Sequence, residues 1–264
     1  MFSIVIPLYN KEVSVSNTIQ SVLDQTVIDF EILIINDGST DNSLEVVKNI
    51  NDPRIHIIDK SNGGVSSARN RGIKEAKFKW ICFLDADDIW EPNHLAILKD
   101  LIIKFPLDKV FCTSYTRGLR KEHKDQDLSI LIIEDYFKEA IKYPFFWTSI
   151  VCIERAVFDN LGLFKEHLTR GEDLEMWSRV GDEYRVIRSN CITAEYVQYS
   201  ENKLTKSKSN LSKSFINEIS LSGAKGSKKK YLKKVIREKV LNLILSKDFN
   251  TAFSLIMRHN LSLL

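Results

Sequence analysis

The segment Trp80-Ile81-Cys82-Phe83-Leu84-Asp85-Ala86-Asp87-Asp88-Ile89-Trp90-Glu91-Pro92 decides how this chain is read. A short apolar run delivers three carboxylates within four residues, and Pro92 then opens a helical pattern. Isolated carboxylates resist burial, so a cluster of them at the end of a buried strand is hydrated, paired or bound to a cation. A solvated turn capping the next helix is the plain alternative. The flanking sequence has to choose between them.

Upstream, Phe2–Pro7 reads as a short buried strand stopped by proline. Val15, Ile19, Val22 and Leu23 follow at helical spacing and predict a helix over Val13–Gln25. Glu31–Ile35 is a second strand, closing on Asn36-Asp37-Gly38-Ser39-Thr40-Asp41, where Gly38 supplies a turn and the Ser/Thr/Asp run offers an N-cap. The next helix carries Leu44, Val47 and Ile50 on one face. Strand Ile55–Ile58, the loop Ser61-Asn62-Gly63-Gly64, helix Ser66–Ala76, strand Trp80–Leu84 and helix Asn93–Phe105 complete the pattern. Strand and helix thus alternate four times, which predicts a doubly wound α/β sheet. Ligands of such sheets bind beyond the carboxyl ends of the strands. Leu8-Tyr9-Asn10, Asn36-Asp37-Gly38 and Asp85-Ala86-Asp87 all fall at those ends. No G-x-G-x-x-G follows the first strand and no Walker A pattern is present, which excludes the dinucleotide and P-loop readings.

The middle is less regular. Val110–Tyr115 reads as a strand, Arg117–Asp127 as a charged surface loop and Glu154–Asn160 as a short helix. Phe145-Phe146-Trp147-Thr148-Ser149 is either a core cluster or a pocket wall. At Arg170-Gly171-Glu172-Asp173-Leu174-Glu175-Met176-Trp177 a glycine precedes a helix with an acidic first turn, a pattern that on its own only compensates the helix dipole.

Composition narrows the class. The chain has 264 residues, 44% hydrophobic and 28% charged, ordinary for a globular protein. Cys82, Cys112, Cys152 and Cys191 form no CxxC pair, so neither a zinc site nor a disulfide framework is expected and a reducing cytosol fits. The first residues lack a signal-peptide pattern and no apolar run is long enough to span a bilayer, so the chain reads as soluble or peripheral. The net charge of +3 is uneven: from Lys206 onward 13 Lys/Arg face three acids, leaving −7 on the rest. After Thr205 the polar stretch Ser207–Ser214 reads as a linker and Gly223–Ser227 as a second break. Beyond it Leu232, Val235, Ile236, Val240, Leu243 and Ile244 form an apolar stripe backed by lysines. The chain therefore divides into a domain over 1–205 and a basic helical extension over 206–264.

Taken in order, the segments Val5-Ile6-Pro7-Leu8-Tyr9-Asn10, Asn36–Asp41, Asn62-Gly63-Gly64-Val65-Ser66-Ser67-Ala68-Arg69-Asn70, Phe83–Asp88, and Gly162-Leu163-Phe164 with Glu172-Asp173 and Trp177 resemble the family 2 glycosyltransferases. The resemblance covers roughly residues 1–205. It implies the GT-A fold, a doubly wound sheet here followed by a C-terminal helical extension. It also implies an inverting transfer from a nucleotide-diphosphate sugar to a saccharide or lipid-linked saccharide, as in bacterial surface-polysaccharide synthesis. An anionic diphosphate in an acid-lined site needs a divalent cation, Mg²⁺ or Mn²⁺, held by carboxylates and phosphate oxygens.

By resemblance Asp87 ligates the metal directly, while Asp85, also counted at the metal site, faces the ribose or a metal-bound water, with Ala86 between them. Asp37 accepts from the base, favouring a uracil- or thymine-type donor such as a UDP-sugar. Pro7 and Tyr9 lie against the base, and Tyr9 stacks on it. Arg69 contacts base or phosphates, with a surface salt bridge as its alternative. Asp88 is read as a cap rather than a ligand. Asp173 is the candidate general base, with Glu172 competing, and the helix N-terminus and nearby metal are expected to keep it ionised. Relatives carry an Arg and a His in the region of Tyr196–Lys203, where this chain has Val197 and Tyr199. A contact expected there is thus missing, or comes from Lys203 or the tail. A sugar-nucleotide nucleotidyltransferase is the alternative enzyme, although Pro7-Leu8-Tyr9-Asn10 is unlike its Gly-rich phosphate loop. The acidic body argues against nucleic acid. The basic extension is read either as docking on an anionic membrane, which would place the protein at the inner face of the cell membrane, or as packing on the domain.

Overall fold

The computed structural model describes residues 1–118, 127–201 and 211–260. The elements run β1 (Phe2–Leu8), α1 (Val15–Leu23), β2 (Phe30–Asp37), α2 (Ser43–Lys48), β3 (Ile55–Lys60), α3 (Val65–Glu75), β4 (Trp80–Phe83), β5 (Ile89–Trp90) and α4 (His94–Lys104). They continue with β6 (Val110–Arg117), β7 (Ile130–Ile133), α5 (Tyr136–Lys142), β8 (Val151–Glu154), α6 (Arg155–Leu161), α7 (Glu172–Glu183) and β9 (Val186–Tyr196). Three helices follow: α8 (Phe215–Glu218), α9 (Gly226–Leu245) and α10 (Phe249–His259). Every element expected in the first 105 residues is present, with ends that differ by no more than two residues.

One sheet runs β3-β2-β1-β4-β8-β6-β9-β5 among the described residues, with β7 added on β9. β1 pairs in parallel with β2 and with β4, and β2 with β3. The sheet then becomes mixed. β8 is antiparallel to both β4 and β6, and β6 is parallel to β9. Two reversals restore the direction, so the carboxyl ends of β1, β2, β4, β6 and β9 point to one edge. That edge collects every strand-end loop capable of building a ligand site.

β1 and β2 are buried almost throughout, as a strand covered on both faces must be. Phe83 lies at the centre of an aromatic cluster with Phe158, Phe164 and Trp177, which packs the end of β4 against α6 and α7. The Phe145–Ser149 segment divides: Phe145 and Phe146 enter the core, whereas Trp147 is half-buried. The four cysteines are buried and free.

The extension packs on the domain through α9. Tyr231 meets the rings of Tyr136 and Phe137 on α5, Lys234 Nζ donates to the Ile141 carbonyl, and Lys228 pairs with Asp182. Leu232, Ile236, Val240 and Leu243 of the expected stripe are buried, and Ile244 is exposed. Leu211–Ser214, assigned to a linker, instead packs: Thr169 N–H donates to the Lys213 carbonyl at 2.8 Å and Phe215 N–H to that of Arg170 at 3.0 Å. Residues 202–210, which include the first part of the expected Ser207–Ser214 linker, and residues 119–126 of the expected Arg117–Asp127 loop lie outside the described residues. No described helix is long and apolar enough to cross a membrane.

α3 lies on β1 at Gly72, where a Cβ would sit 2.3 Å from Val5 Cγ1. Alanine there gains about 1 kcal/mol of helix propensity but overpacks the contact by about 1–3 kcal/mol. Gly72→Ala is therefore expected to lower the urea midpoint, and an equal or higher midpoint would contradict the close approach.

Candidate active site

The β1–α1 loop is tied to the β2–α2 loop. Asn10, at φ +52°, accepts from Thr40 N–H at 2.8 Å through its side chain, and Lys11 N–H donates to Ser43 Oγ at 2.6 Å. Behind them Asp37 accepts from Gly63 N–H at 2.9 Å, Gly64 N–H at 2.8 Å and Lys60 Nζ. The close approach needs Gly38, whose φ is +70° and whose Cβ would lie 2.8 Å from Asn62 N. Asp37 Oδ2, with a single donor among the described residues, keeps a lone pair for a ligand N–H.

Arg69 on α3 is 4% exposed and joins two acidic segments. Its Nη2 meets Asp85 Oδ1 at 2.9 Å and its Nη1 meets Glu172 Oε1 at 3.1 Å. Burial opposes the charge on Arg69, but Asp85 and Glu172 outweigh it and hold the guanidinium more firmly protonated than usual. The alternative of a surface salt bridge is therefore corrected: this is a buried bridge between the end of β4 and the start of α7.

Asp88 is 1% exposed, accepting from Ser149 Oγ at 2.7 Å and Val197 N–H at 3.3 Å. Burial, then the neighbouring charges of Asp85 and Asp87, push its carboxyl well above the usual range. It is a structural strut between β4, the Trp147–Ser149 turn and the end of β9, not the helix cap expected.

Asp87 Oδ2 receives Lys11 Nζ at 2.7 Å and the Ser200 hydroxyl. Lys11 Nζ also donates to the Glu201 carbonyl at 2.6 Å, while the Glu201 carboxylate accepts Ser14 N–H at 3.0 Å and Ser14 Oγ at 2.9 Å at the start of α1. Sequence reasoning missed Lys11, Ser200 and Glu201. A lysine after a strand-end Asn reads as solvated, and nothing local links it to a residue 76 positions away. In the Tyr196–Lys203 segment Val197 supplies a backbone N–H, Tyr199 is exposed and Lys203 lies outside the described residues.

Asp173 opens α7, and Leu174 N–H donates to its Oδ1 at 2.8 Å. Burial first, then the Glu172 charge, raise its carboxyl to about 6 against the opposing pull of Arg69 and that N–H. Against the expectation that the helix N-terminus and a nearby metal keep it ionised, the Leu174 N–H pulls the carboxyl down but does not by itself offset burial beside a second carboxylate. Glu172 is engaged by Arg69, whereas Asp173 has no cationic partner within ion-pair distance among the described residues.

Pro7, Tyr9, Asp37, Arg69, Asp85, Ala86, Asp87 and Asp173 all line one cavity of about 560 Å³. Lys11, Trp147, Glu172, Tyr115, Arg117 and Tyr196 join its wall. Five lining carboxylates face three cations, a formal −2 before any ligand enters. No group of three or more His, Cys, Asp or Glu side chains among the described residues forms a metal cage. Among the described residues, Asp85 and Asp87 each keep one carboxylate oxygen without a hydrogen-bond partner. Two hard oxygen donors in a negatively charged cavity fit Mg²⁺ or Mn²⁺ completed by phosphate oxygens and water, the usual arrangement for these ions.

The model of the family described as "Glycosyl transferase family 2" matches residues 3–162. An uncharacterized glycosyltransferase of Rickettsia bellii is 35% identical over 180 residues, 66% of this chain and 25% of that one. Chondroitin synthase of Pasteurella multocida is 42% identical over 118 residues, 44% of this chain and 12% of that one. The chain thus spans a quarter or less of these relatives. S. aureus TarS 1-349, solved with UDP-GlcNAc, superposes with a TM-score of 0.67 at 18% identity, over 92% of this chain and 66% of that one, a likeness of fold.

Replacing Arg69 by methionine leaves Asp85 and Glu172 facing each other unpaired. Breaking a buried pair costs about 3–5 kcal/mol, and the partial hydration of Asp85 places Arg69→Met near the lower end. Urea unfolding at neutral pH measures this, and an unchanged midpoint would contradict the buried bridge.

Proposed function

The chain belongs to glycosyl transferase family 2, and from that premise we propose that it is an inverting, metal-dependent glycosyltransferase. It moves a sugar from a nucleotide-diphosphate donor, a UDP-sugar, to a saccharide or lipid-linked saccharide in cell-surface polysaccharide synthesis. The observation that carries this reading is the convergence of eight residues from five separate segments on one acidic cavity, Asp173 among them with a carboxyl of raised pKa. The UDP-GlcNAc in the TarS structure supports the choice of donor.

In this reading Tyr9 and Pro7 flank the base and Asp37 Oδ2 accepts its imide N–H. Asp85 and Asp87 hold the cation, which when bound supplies Lewis-acid stabilisation of the departing diphosphate. Arg69 fixes Asp85 and Glu172, leaving Asp173 to take the proton. The acceptor oxygen forms a bond to the anomeric carbon while the bond from that carbon to the diphosphate breaks. The hydroxyl proton passes to the Asp173 carboxylate and the electron pair leaves with the nucleotide. A carboxyl poised near 6 is a stronger base than an ordinary aspartate and is still largely ionised at neutral pH. A sugar-nucleotide nucleotidyltransferase, the competing enzyme, is disfavoured by the Pro7–Asn10 turn, which has no glycine to let a backbone approach a triphosphate.

Calorimetry and release of free UDP separate the two carboxylate roles. Asp87→Ala is expected to abolish Mg²⁺-dependent binding of UDP, and retained affinity would remove Asp87 from the cation site. Asp173→Asn is expected to bind UDP-sugar normally while transfer falls by about 10²–10⁴-fold. Normal turnover would move the base to Glu172.

A second surface bears on where the enzyme works. Leu241 and Leu245 on α9, then Phe249, Phe253 and Met257 on α10, are all exposed at intervals of four. The stretch from Lys206 onward carries a net +10. Exposed apolar side chains within a strongly cationic segment suit an anionic bilayer. The protein is expected to pellet with phosphatidylglycerol vesicles but not with phosphatidylcholine ones, and Phe253→Glu to reduce pelleting. Equal sedimentation in all cases would contradict docking through this face.

A further inference from the structure

The donor reading leaves one wall of the cavity unused. Sheet order places Asp37, at the end of β2, on one side of Asp85, and the ends of β6 and β9 on the other. There Arg117 and Tyr196 are register partners on adjacent parallel strands, so both reach the ligand edge together. Trp147 stands between Tyr115 and Tyr196, with ring centroids 4.8 Å and 5.3 Å away. The Arg117 guanidinium carbon lies 5.8 Å from the Tyr115 ring and 6.0 Å from the Tyr196 ring. Arg117 Nη2 donates to the Tyr115 hydroxyl at 3.3 Å, and that hydroxyl donates in turn to the Pro144 carbonyl at 3.0 Å.

Charge distinguishes Arg117 from the other cations of the cavity. Lys11 is paired with Asp87, and Arg69 with Asp85 and Glu172. Arg117, which is exposed, has no carboxylate partner among the described residues, and its guanidinium lies near two rings. A planar guanidinium presents a two-pronged donor matched to carboxylate or phosphate oxygens. Beside it three aromatic rings offer a wall of the kind that accepts the apolar face of a small ligand. A neutral sugar would use the rings and leave the cation to water. An anionic sugar uses both.

We infer that Tyr115, Arg117, Trp147 and Tyr196 form the acceptor subsite, and that the acceptor is an anionic saccharide whose carboxylate or phosphate is bound by Arg117. The inference rests on the glycosyltransferase reading of the cavity and adds the chemical class of its second substrate. It also accounts for charge along the cavity. An anion at the Arg117 end is drawn away from Asp85, Asp87 and Glu172, which orients the acceptor with its charged group remote from the departing diphosphate.

The test uses methyl β-D-glucoside, methyl β-D-glucuronide and methyl β-D-glucoside 6-phosphate, which share one ring and differ in charge. Their binding to the full chain with UDP and Mg²⁺ is measured by saturation-transfer NMR. At least one anionic probe is expected to bind about tenfold more tightly than the neutral glucoside, the strength of one charge-assisted contact. The preference should fade with added salt and disappear in Arg117→Gln. Whichever anionic probe wins identifies the group as carboxylate or phosphate. Equal binding of neutral and charged probes, no binding of either anionic probe, or a preference that survives Arg117→Gln would overturn the inference. So would a loss of UDP affinity in that variant, since Arg117 would then serve the donor. Calorimetric titration of the wild-type chain with UDP tests the underlying reading separately: absence of UDP binding would sink the donor site itself.

Discussion

The bridge from Asp85 through Arg69 to Glu172 is the constraint on which the rest of the site depends. Two segments more than 80 residues apart in sequence each bring a carboxylate to the same edge of the sheet, and like charges in a closed cavity repel. A guanidinium with 4% exposure resolves this because its two arms serve both carboxylates at once. A lysine at that position has one point of charge and cannot hold two acids in a fixed geometry. The arrangement fixes the start of α7 relative to β4, and with it the position of Asp173. It also divides labour between adjacent carboxylates: Glu172 is consumed by the bridge and Asp173 is left to titrate. A protein maximising stability would replace such a buried network by apolar packing.

Lys11 adds a second element of control. Asp87 is held by a lysine from the β1–α1 loop, and the same ammonium reaches the Glu201 carbonyl. Glu201 in turn caps the first turn of α1 through Ser14. The chain after β9 is therefore fastened across the mouth of the site to the loop after β1. Asp88 fastens it again from below through Val197 N–H. Each carboxylate in the Asp85–Asp88 run has its own partner: a buried arginine, a loop lysine, and a serine with a backbone amide.

The alternation of buried strands and amphipathic helices over the first 105 residues was legible because both faces of the sheet are covered, so hydrophobic period and burial coincide. The strand-end residues were legible for the same reason, since a polar group after a fully apolar strand stands out. Beyond residue 110 the pattern weakens. β8 has four residues, too short to show a period, as is the earlier two-residue β5, and β9 enters the sheet only by pairing with β6, β5 and β7. Lys11 and Glu201 were illegible for a different reason: a charged loop residue looks alike whether water or a distant carboxylate satisfies it. Asp88 was read as structural, yet its true partners, Ser149 and Val197, lie 61 and 109 positions downstream. Local signals pick out which residues gather at the edge. Which charge meets which follows only from the fold.

The central claim is that Asp85 and Asp87 hold a divalent cation against a nucleotide diphosphate. Anomalous scattering from crystals grown with UDP and Mn²⁺ tests it most directly. The account predicts one manganese peak about 2.0–2.2 Å from an Asp87 carboxylate oxygen and bonded to the diphosphate, with Asp85 in its coordination sphere or one water away. UDP seated in the cavity with no manganese beside Asp87 would contradict it.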